Sequence, residues 1–459
     1  MKFTKLVCAL AVTLLSWQCG LRISQEELQQ TTQEALVAQQ PNPGTDSLTT
    51  QEPILVGWMD SFQDATLSAL VQEAQANNKN LAVAAANVKR ALALSDQARA
   101  GLLPNVALNA QGAESGTDSN QTTNLNLGLQ VNWEADLWGR LSSGTRSAQA
   151  NAAAVQADLQ FAQHSLAAGV ANAYFSALDA GQKLAIAKET VSILSEVQRI
   201  VSLRESNGMA GRQDVALAAS DLAKAEENLA AVEGARRDAL RALELLLGRY
   251  PSAELEMGRT LPTLPPPPPS GISSEILERR PDLIAAERRV AAAFEATAQA
   301  KAARLPSLSL TGTLGGASSS LSDLLNPANL AWRLGTNLLA PLFDGGVRRA
   351  NVVIATAAQE QALASYGAAA LQAFSEVETA LDQGVVLAQR RNSMATALTE
   401  AQEAFRIADL RYREGEADLL EVLTIQQRLN AAKTTLTTID RLLLSQRVSL
   451  HLALGGSWN

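Results

Sequence analysis

Residues 303–312 read ARLPSLSLTG. Ala303 and Arg304 close a run with helical spacing, and after Pro306 the chain becomes Ser307, Leu308, Ser309, Leu310, Thr311. That alternation of polar and apolar residues has the period of a strand with one apolar face. Proline stops the preceding helix because it lacks the backbone donor and restricts the residue before it. The stretch AGLLPNVALNAQG, 100–112, makes the same change at Pro104, 202 positions before Pro306. Pro104 and Pro306 are therefore read as helix–strand boundaries.

Other stretches recur at nearly that distance. GVANAYFSAL (169–178) is echoed by AALQAFSEVE (369–378), and ESNGMAGRQDV (205–215) by YREGEADLLEV (412–422). LELLLG, ending at Gly248, is echoed by LHLALG, ending at Gly455. Order is kept and the offset drifts only as small insertions require, so one unit is written twice. Repeat 1 spans 61–259 and repeat 2 spans 272–459. Between them TLPTLPPPPPSG, 260–271, is a Pro-rich linker that is stiff, extended and unable to be helix.

The spacing in repeat 1 predicts a helix over 61–103 (Leu67, Leu70, Val71, Ala74) and strands over 105–112 and 124–134. A long helix over 137–205 and a helix over 212–247 follow. Repeat 2 predicts a helix over 273–304, strands over 307–315 and 330–341, a long helix over 346–412 and a helix over 416–454. At 1.5 Å per residue the longest helices are on the order of 100 Å, too long for one globular core, so they pack on one another in a coiled-coil or barrel-like bundle. Composition agrees: hydrophobic residues make 47% with alanine prominent and aromatics only 4%, which suits closely packed helices.

The formal net charge of −8 and the lack of a basic cluster with interleaved aromatics argue against a nucleic-acid partner. At the N-terminus, Lys2 and Lys5 precede a largely apolar run from Leu6 to Trp17, the pattern of a signal peptide over 1–18 and too short to cross a bilayer. An extended segment, 19–60, follows. Both cysteines, Cys8 and Cys19, lie in this region, so the mature chain has no intramolecular disulfide. Cys19 is a candidate lipid anchor, although Gln18 stands where a lipoprotein has a small residue; a chance cysteine in an ordinary signal peptide is the other reading.

The strands have the length and the alternation of transmembrane β-barrel strands, and Trp133 and Trp332 sit near strand ends where interfacial aromatics belong. Four strands cannot close a barrel, and an open edge cannot stay in lipid. Three chains would pool twelve. The expected fold is mainly α with a small all-β membrane part, four strands per chain entering a trimeric 12-stranded barrel. A soluble coiled-coil protein with two decorated hairpins is the alternative.

Further stretches carry a resemblance over nearly the whole chain: WMDSFQDATLSALVQEA (58–74), WEADLWGRL (133–141), LERRPDLIAAERRVAAA (277–293), PLFDGGVRRA (341–350), RYREGEADLLEVL (411–423) and LALGGSW (452–458). In this order they are similar to the TolC/OprM outer-membrane efflux proteins that pair with resistance-nodulation-division pumps. The resemblance implies a homotrimeric duct in outer-membrane lipid, with an α-barrel crossing the periplasm. It implies docking to a periplasmic adaptor protein and an inner-membrane resistance-nodulation-division pump that supplies the energy. It further implies passive efflux of small molecules, with no enzyme activity and no cofactor beyond a possible lipid on Cys19. The exit duct of a type I protein-secretion system shares this architecture, and a periplasmic coiled-coil scaffold is a reading of another class.

On the same resemblance, the turns Asn207, Gly208, Met209, Ala210, Gly211 and Glu414, Gly415, Glu416, Ala417 are docking tips. Small Gly-containing turns let another chain approach, whereas the plainer reading is that Gly208 and Gly415 end helices. The periplasmic gate would be Asp214, Tyr412 and Glu421, with Tyr412 bonded to Asp214 and three copies of Glu421 crowded about the axis. Thr424 stands where the family often has a second acid, and Ala417 where it sometimes has an arginine; both departures suggest a weaker lock. His164 and His451 lack ligand-spaced partners and read as packing or surface residues, and Arg279, Arg280, Asp282 and Glu287 as a structural ion-pair cluster.

Overall fold

A computed structural model describes residues 57–118, 120–266, 279–324 and 326–456. The signal peptide, Cys19, nearly all of 19–60 and the end of the proline-rich linker lie outside the described residues. The elements, in order, are α1 (Ala65–Asn77), α2 (Lys79–Ala100), β1 (Asn105–Thr117), β2 (Asn120–Ala135), α3 (Arg140–Ser206) and α4 (Arg212–Leu246). Repeat 2 gives α5 (Pro281–Ala302), β3 (Ser307–Ser318), β4 (Leu330–Leu339), α6 (Val347–Glu414) and α7 (Leu419–Ala453).

Several boundaries differ from the sequence expectation for local reasons. The helix expected over 61–103 is two helices, because Asn78 breaks it. Its Oδ1 accepts the N–H groups of Asn80 (2.9 Å) and Leu81 (3.1 Å), the bonding of an N-cap. Residues 58–62 form a separate 3₁₀ turn, and α1 starts only after Asp64, whose carboxylate caps Thr66 and Leu67. The long helix begins at Arg140 rather than 137, since the Asp136 carboxylate takes the N–H groups of Leu141 and Ser142, each at 2.8 Å. Helix α7 starts at Leu419, capped by Asp418, not at 416. Strands β1 and β2 run further than expected through GAESGTDSNQTTN, pairing out to Thr117 and Asn120. Polar residues that suggest a long turn serve equally well in a ladder held by backbone bonds.

The chain divides into two units. One comprises Ala85–Asp158 and Asp282–Ala370. It holds one antiparallel sheet of order β1-β2-β3-β4, in which β2 and β3 join the repeats. Directly opposed residues share a face. One face carries the rows Val106–Val131–Gly312–Leu334, Leu108–Leu129–Leu314–Trp332 and Ala110–Leu127–Gly316–Leu330. The other carries Asn105–Asn132–Thr311–Gly335 and Ala107–Gln130–Thr313–Arg333. The apolar face is bare: Leu108 is 70% exposed, Leu334 77% and Trp332 74%. Pro104 and Pro306 stand one residue before β1 and β3. Here Trp133 Nε1 donates to Leu102 O (2.9 Å) and Trp138 Nε1 to Pro306 O (2.6 Å), tying helix ends to strands within and between the repeats. Trp133 is thus an internal anchor, while Trp332 belongs to the exposed apolar face.

The other unit comprises the described parts of Pro43–Ala84, Leu159–Pro281 and Leu371–Asn459. Its main core sets Trp58, Phe62, Leu67 and Val71 against Phe175, Leu178, Leu243, Leu247, Leu444 and Val448. Alanines at 74, 167 and 171 are fully buried, which lets helices pack closely. The duplication is visible in its bonds. Asn78 Nδ2 donates to Leu246 O (2.9 Å) in repeat 1, and Arg280 Nη1 donates to Ala453 O (3.2 Å) at the matching place in repeat 2. Arg280 is buried and also pairs with Glu376 at 2.8 Å. Around it the WMDSF, ERRP and LALGG stretches meet: Trp58 stacks on His451 at 5.5 Å, and a Cβ at Gly455 would lie 3.2 Å from Arg279 and Arg280. Among the described residues no helix is long and apolar enough to cross a membrane.

Candidate functional site

Four helix ends meet at the two turns of the second unit. They are held by a cluster of Leu194, Val201, Ala218, Ala408, Tyr412, Leu419, Val422 and Leu423. Helix α3 ends at Ser206 and α6 at Glu414, each with a glycine in left-handed conformation, Gly208 at φ 72 and Gly415 at φ 83. Each turn closes with the same pair of bonds. Gly208 N donates to Glu205 O (2.9 Å) and Met209 N to Arg204 O (2.8 Å); Gly415 N donates to Tyr412 O (3.1 Å) and Glu416 N to Arg411 O (2.8 Å). This is the Schellman arrangement, and a side chain at either glycine would meet the left-handed backbone penalty. The plainer reading of Gly208 and Gly415 therefore accounts for their backbone. Around them Asn207, Met209, Gly211, Glu414 and Glu416 are exposed, Ala210 is half-buried, and Ala417 leans on the apolar cluster. Asn207 Nδ2 further secures its turn on Leu203 O at 2.7 Å.

The repeat-equivalent acids do different work. Asp214 Oδ2 accepts the N–H of Gly211 (3.1 Å), closing the start of α4. In repeat 2 the capping is done by Asp418, whose Oδ1 accepts Glu421 N at 2.7 Å. Glu421 is thereby left to pair with Arg411 Nη1 at 3.3 Å, while Arg411 Nη2 donates to Glu416 O at 3.2 Å.

Tyr412 is buried, and its polar partner across the repeats is Arg204 rather than Asp214. The Arg204 guanidinium lies 4.5 Å from the centre of the Tyr412 ring. Its Nη2 donates to the carbonyls of Tyr412 (3.0 Å) and Arg413 (3.4 Å). Burial raises the Tyr412 hydroxyl above the usual tyrosine range; Arg204 draws it back and nearby Asp214 pushes it up. Sequence reasoning missed Arg204 and Arg411. The signal was there, because the two arginines are repeat equivalents placed before matching glycines. Ala417 itself supplies no cation, and the cationic contacts at the turns come from Arg204 and Arg411.

The predicted site thus falls into three places. Asn207 to Gly211, Asp214, Tyr412, Glu414 to Ala417 and Glu421 come together at the turns. Pro104 and Pro306 mark the roots of the sheet. Cys19 lies outside the described residues. A sheet with one polar and one bare apolar face, together with helices of 67 and 68 residues, is the architecture of an outer-membrane channel protein.

The comparisons with known proteins specify the class further. The sequence profile of the outer membrane efflux protein family matches residues 70–249 and again 272–456, one match per repeat. The chain belongs to that family. It is 32% identical to the pyoverdine export outer membrane protein OpmQ of Pseudomonas aeruginosa over 415 residues, covering 87% of each chain. It is 30% identical to the cation efflux system protein CusC of Escherichia coli O6:H1 over 408 residues, covering 88% of each. Its fold matches that of the outer-membrane channel OprN with a TM-score of 0.82 at 28% identity, covering 90% of this chain and 99% of that one. The protein is the outer-membrane component of an efflux system, and the reading as a periplasmic scaffold falls away.

Proposed function

We propose that three copies of this chain close a 12-stranded barrel in the outer membrane. They form a passive duct through which small molecules leave without chemistry by the protein itself. The observation that carries this reading is the sheet: β1 and β4 are its outer strands, each paired on one side only, and its apolar face is exposed. Unpaired backbone groups cannot remain in lipid, and three sheets of four strands remove every edge. Asn126, Gln130 and Asn132, with Arg333, would line a wet interior.

The energy and the choice of cargo come from partners, a periplasmic adaptor and an inner-membrane resistance-nodulation-division pump. The relatives support this division, since their names give cargoes as different as pyoverdine and a cation. The turns at Asn207 to Gly211 and Glu414 to Ala417 serve as adaptor-docking tips. Asp214, Tyr412 and Glu421 belong to the gate at the same end, and Cys19 carries a lipid.

The test is the purified full-length protein in detergent and in planar bilayers. A heat-modifiable trimer that conducts ions supports the duct. A monomer without conductance, or a soluble periplasmic pool, overturns it. Labelling with a radioactive fatty acid that disappears in Cys19→Ser checks the anchor.

A further inference from the structure

The two arginines before the turn glycines occupy the same position in each repeat, yet they reach in different directions. Arg411 stays within its own hairpin, on Glu416 O and Glu421. Arg204 crosses from the end of α3 to the end of α6 and donates to the carbonyls of Tyr412 and Arg413. Those carbonyls belong to the last turn of α6, where the helix dipole favours a cation; Tyr412 O, which already accepts Gly415 N, takes Arg204 on its second lone pair. The same guanidinium covers the face of the buried Tyr412 ring at 4.5 Å. One side chain therefore links the hairpin of repeat 1 to that of repeat 2 at their turns.

We propose that Arg204 is the positioning residue that clasps the two hairpins together and holds the turns in their closed arrangement. This rests on the reading of the turns as a gate. The clasp is made chiefly by the backbone carbonyls of Tyr412 and Arg413 and the Tyr412 ring face, with the hydroxyl a lesser contact of Arg204, so it makes a different demand from a Tyr412–Asp214 hydrogen bond. Arginine suits the task because its planar fork reaches two carbonyls while stacking; lysine keeps the charge but not the fork.

The discriminating experiment is single-channel recording of the full-length protein in planar bilayers, with the heat-modifiable trimer checked for each variant. Arg204→Ala is expected to raise the open probability by at least about tenfold, the scale of a lost charge-assisted bond and cation–π contact. Arg204→Lys is expected to fall between it and the wild type. Tyr412→Phe keeps the carbonyls and the ring face and loses only the lesser hydroxyl contact, so it is expected to open far less than Arg204→Ala. If Arg204→Ala stays closed while Asp214→Ala opens, the gate is real and the clasp is wrong. If no variant opens, the gate reading fails and takes the clasp with it. Should Arg204→Ala not assemble, Arg204→Lys carries the test: unchanged gating overturns the clasp.

Discussion

His451, in the last turn of α7, lies buried with its ring stacked on the indole of Trp58 at 13° and 5.5 Å, and Arg447 stands one turn before it. Burial first, and then the Arg447 charge, lower its pKa from 6.5 to about 4. The folded chain thus holds His451 neutral where an unfolded chain would protonate it. Stability is full above pH 6.5 and falls as pH drops towards 4, at up to about 1.4 kcal/mol per pH unit for this one group. His451→Phe keeps a ring on Trp58 and removes the titration. Its thermal midpoint in detergent should lose less than that of the wild type between those two pH values. Arg280 is a second residue on which this end depends, since it neutralises Glu376 and satisfies Ala453 O. Arg280→Ala should cost about 2 kcal/mol, less than a fully buried pair because Glu376 is 40% exposed. The same thermal measurement reads it, and Arg280→Lys should recover part of the loss. The sequence placed Arg280 in an ionic cluster at a helix start. It could not show that Glu376, nearly a hundred residues on, is among its partners, because only packing decides which distant carboxylate faces a buried guanidinium.

At the scale of the element, the sheet makes a prediction with an internal control. Leu129 sits in the middle of the apolar row Leu108–Leu129–Leu314–Trp332, while Gln130 belongs to the opposite face between Ala107 and Thr313. Leu129→Arg places a charge in lipid, at about 2–4 kcal/mol near mid-membrane, and should block assembly, read as loss of the heat-modifiable form. Gln130→Arg should assemble and shift ion selectivity towards anions in bilayers. The alternation that fixes these faces was legible from Leu308, Leu310, Val106 and Leu108. The strand ends were not, because residues 113–117 and 120–123 lack an apolar period and are held by ladder bonds alone. Helix α2 shows the same limit in another form. Asn78 reads as an ordinary polar residue of a helix until its side chain is seen capping the next one and reaching Leu246 O.

At the scale of the whole molecule, the proposed trimer turns on the outer strands. In one sheet β1 and β4 are three strand spacings apart, about 14 Å, too far for a disulfide. Closure by three chains would bring β1 of one copy beside β4 of the next. Cysteine pairs with one member on each outer strand, scanned along β1 and β4 in a Cys8→Ser, Cys19→Ser background, should cross-link into dimers and trimers in oxidised membranes. Intrachain bridging alone would contradict closure. The duplication, the helix and strand types, the Pro104 and Pro306 boundaries and the two faces of each strand can all be read along the chain. These are local properties, set by period and by proline. Packing alone brings Arg204 onto the Tyr412 ring, sets Asp214 and Glu421 to different partners despite their equivalence, and gathers Arg280, Trp58 and Gly455 at one end. Such contacts depend on which side chains helices distant in sequence bring face to face, and no periodicity along one chain encodes that distance.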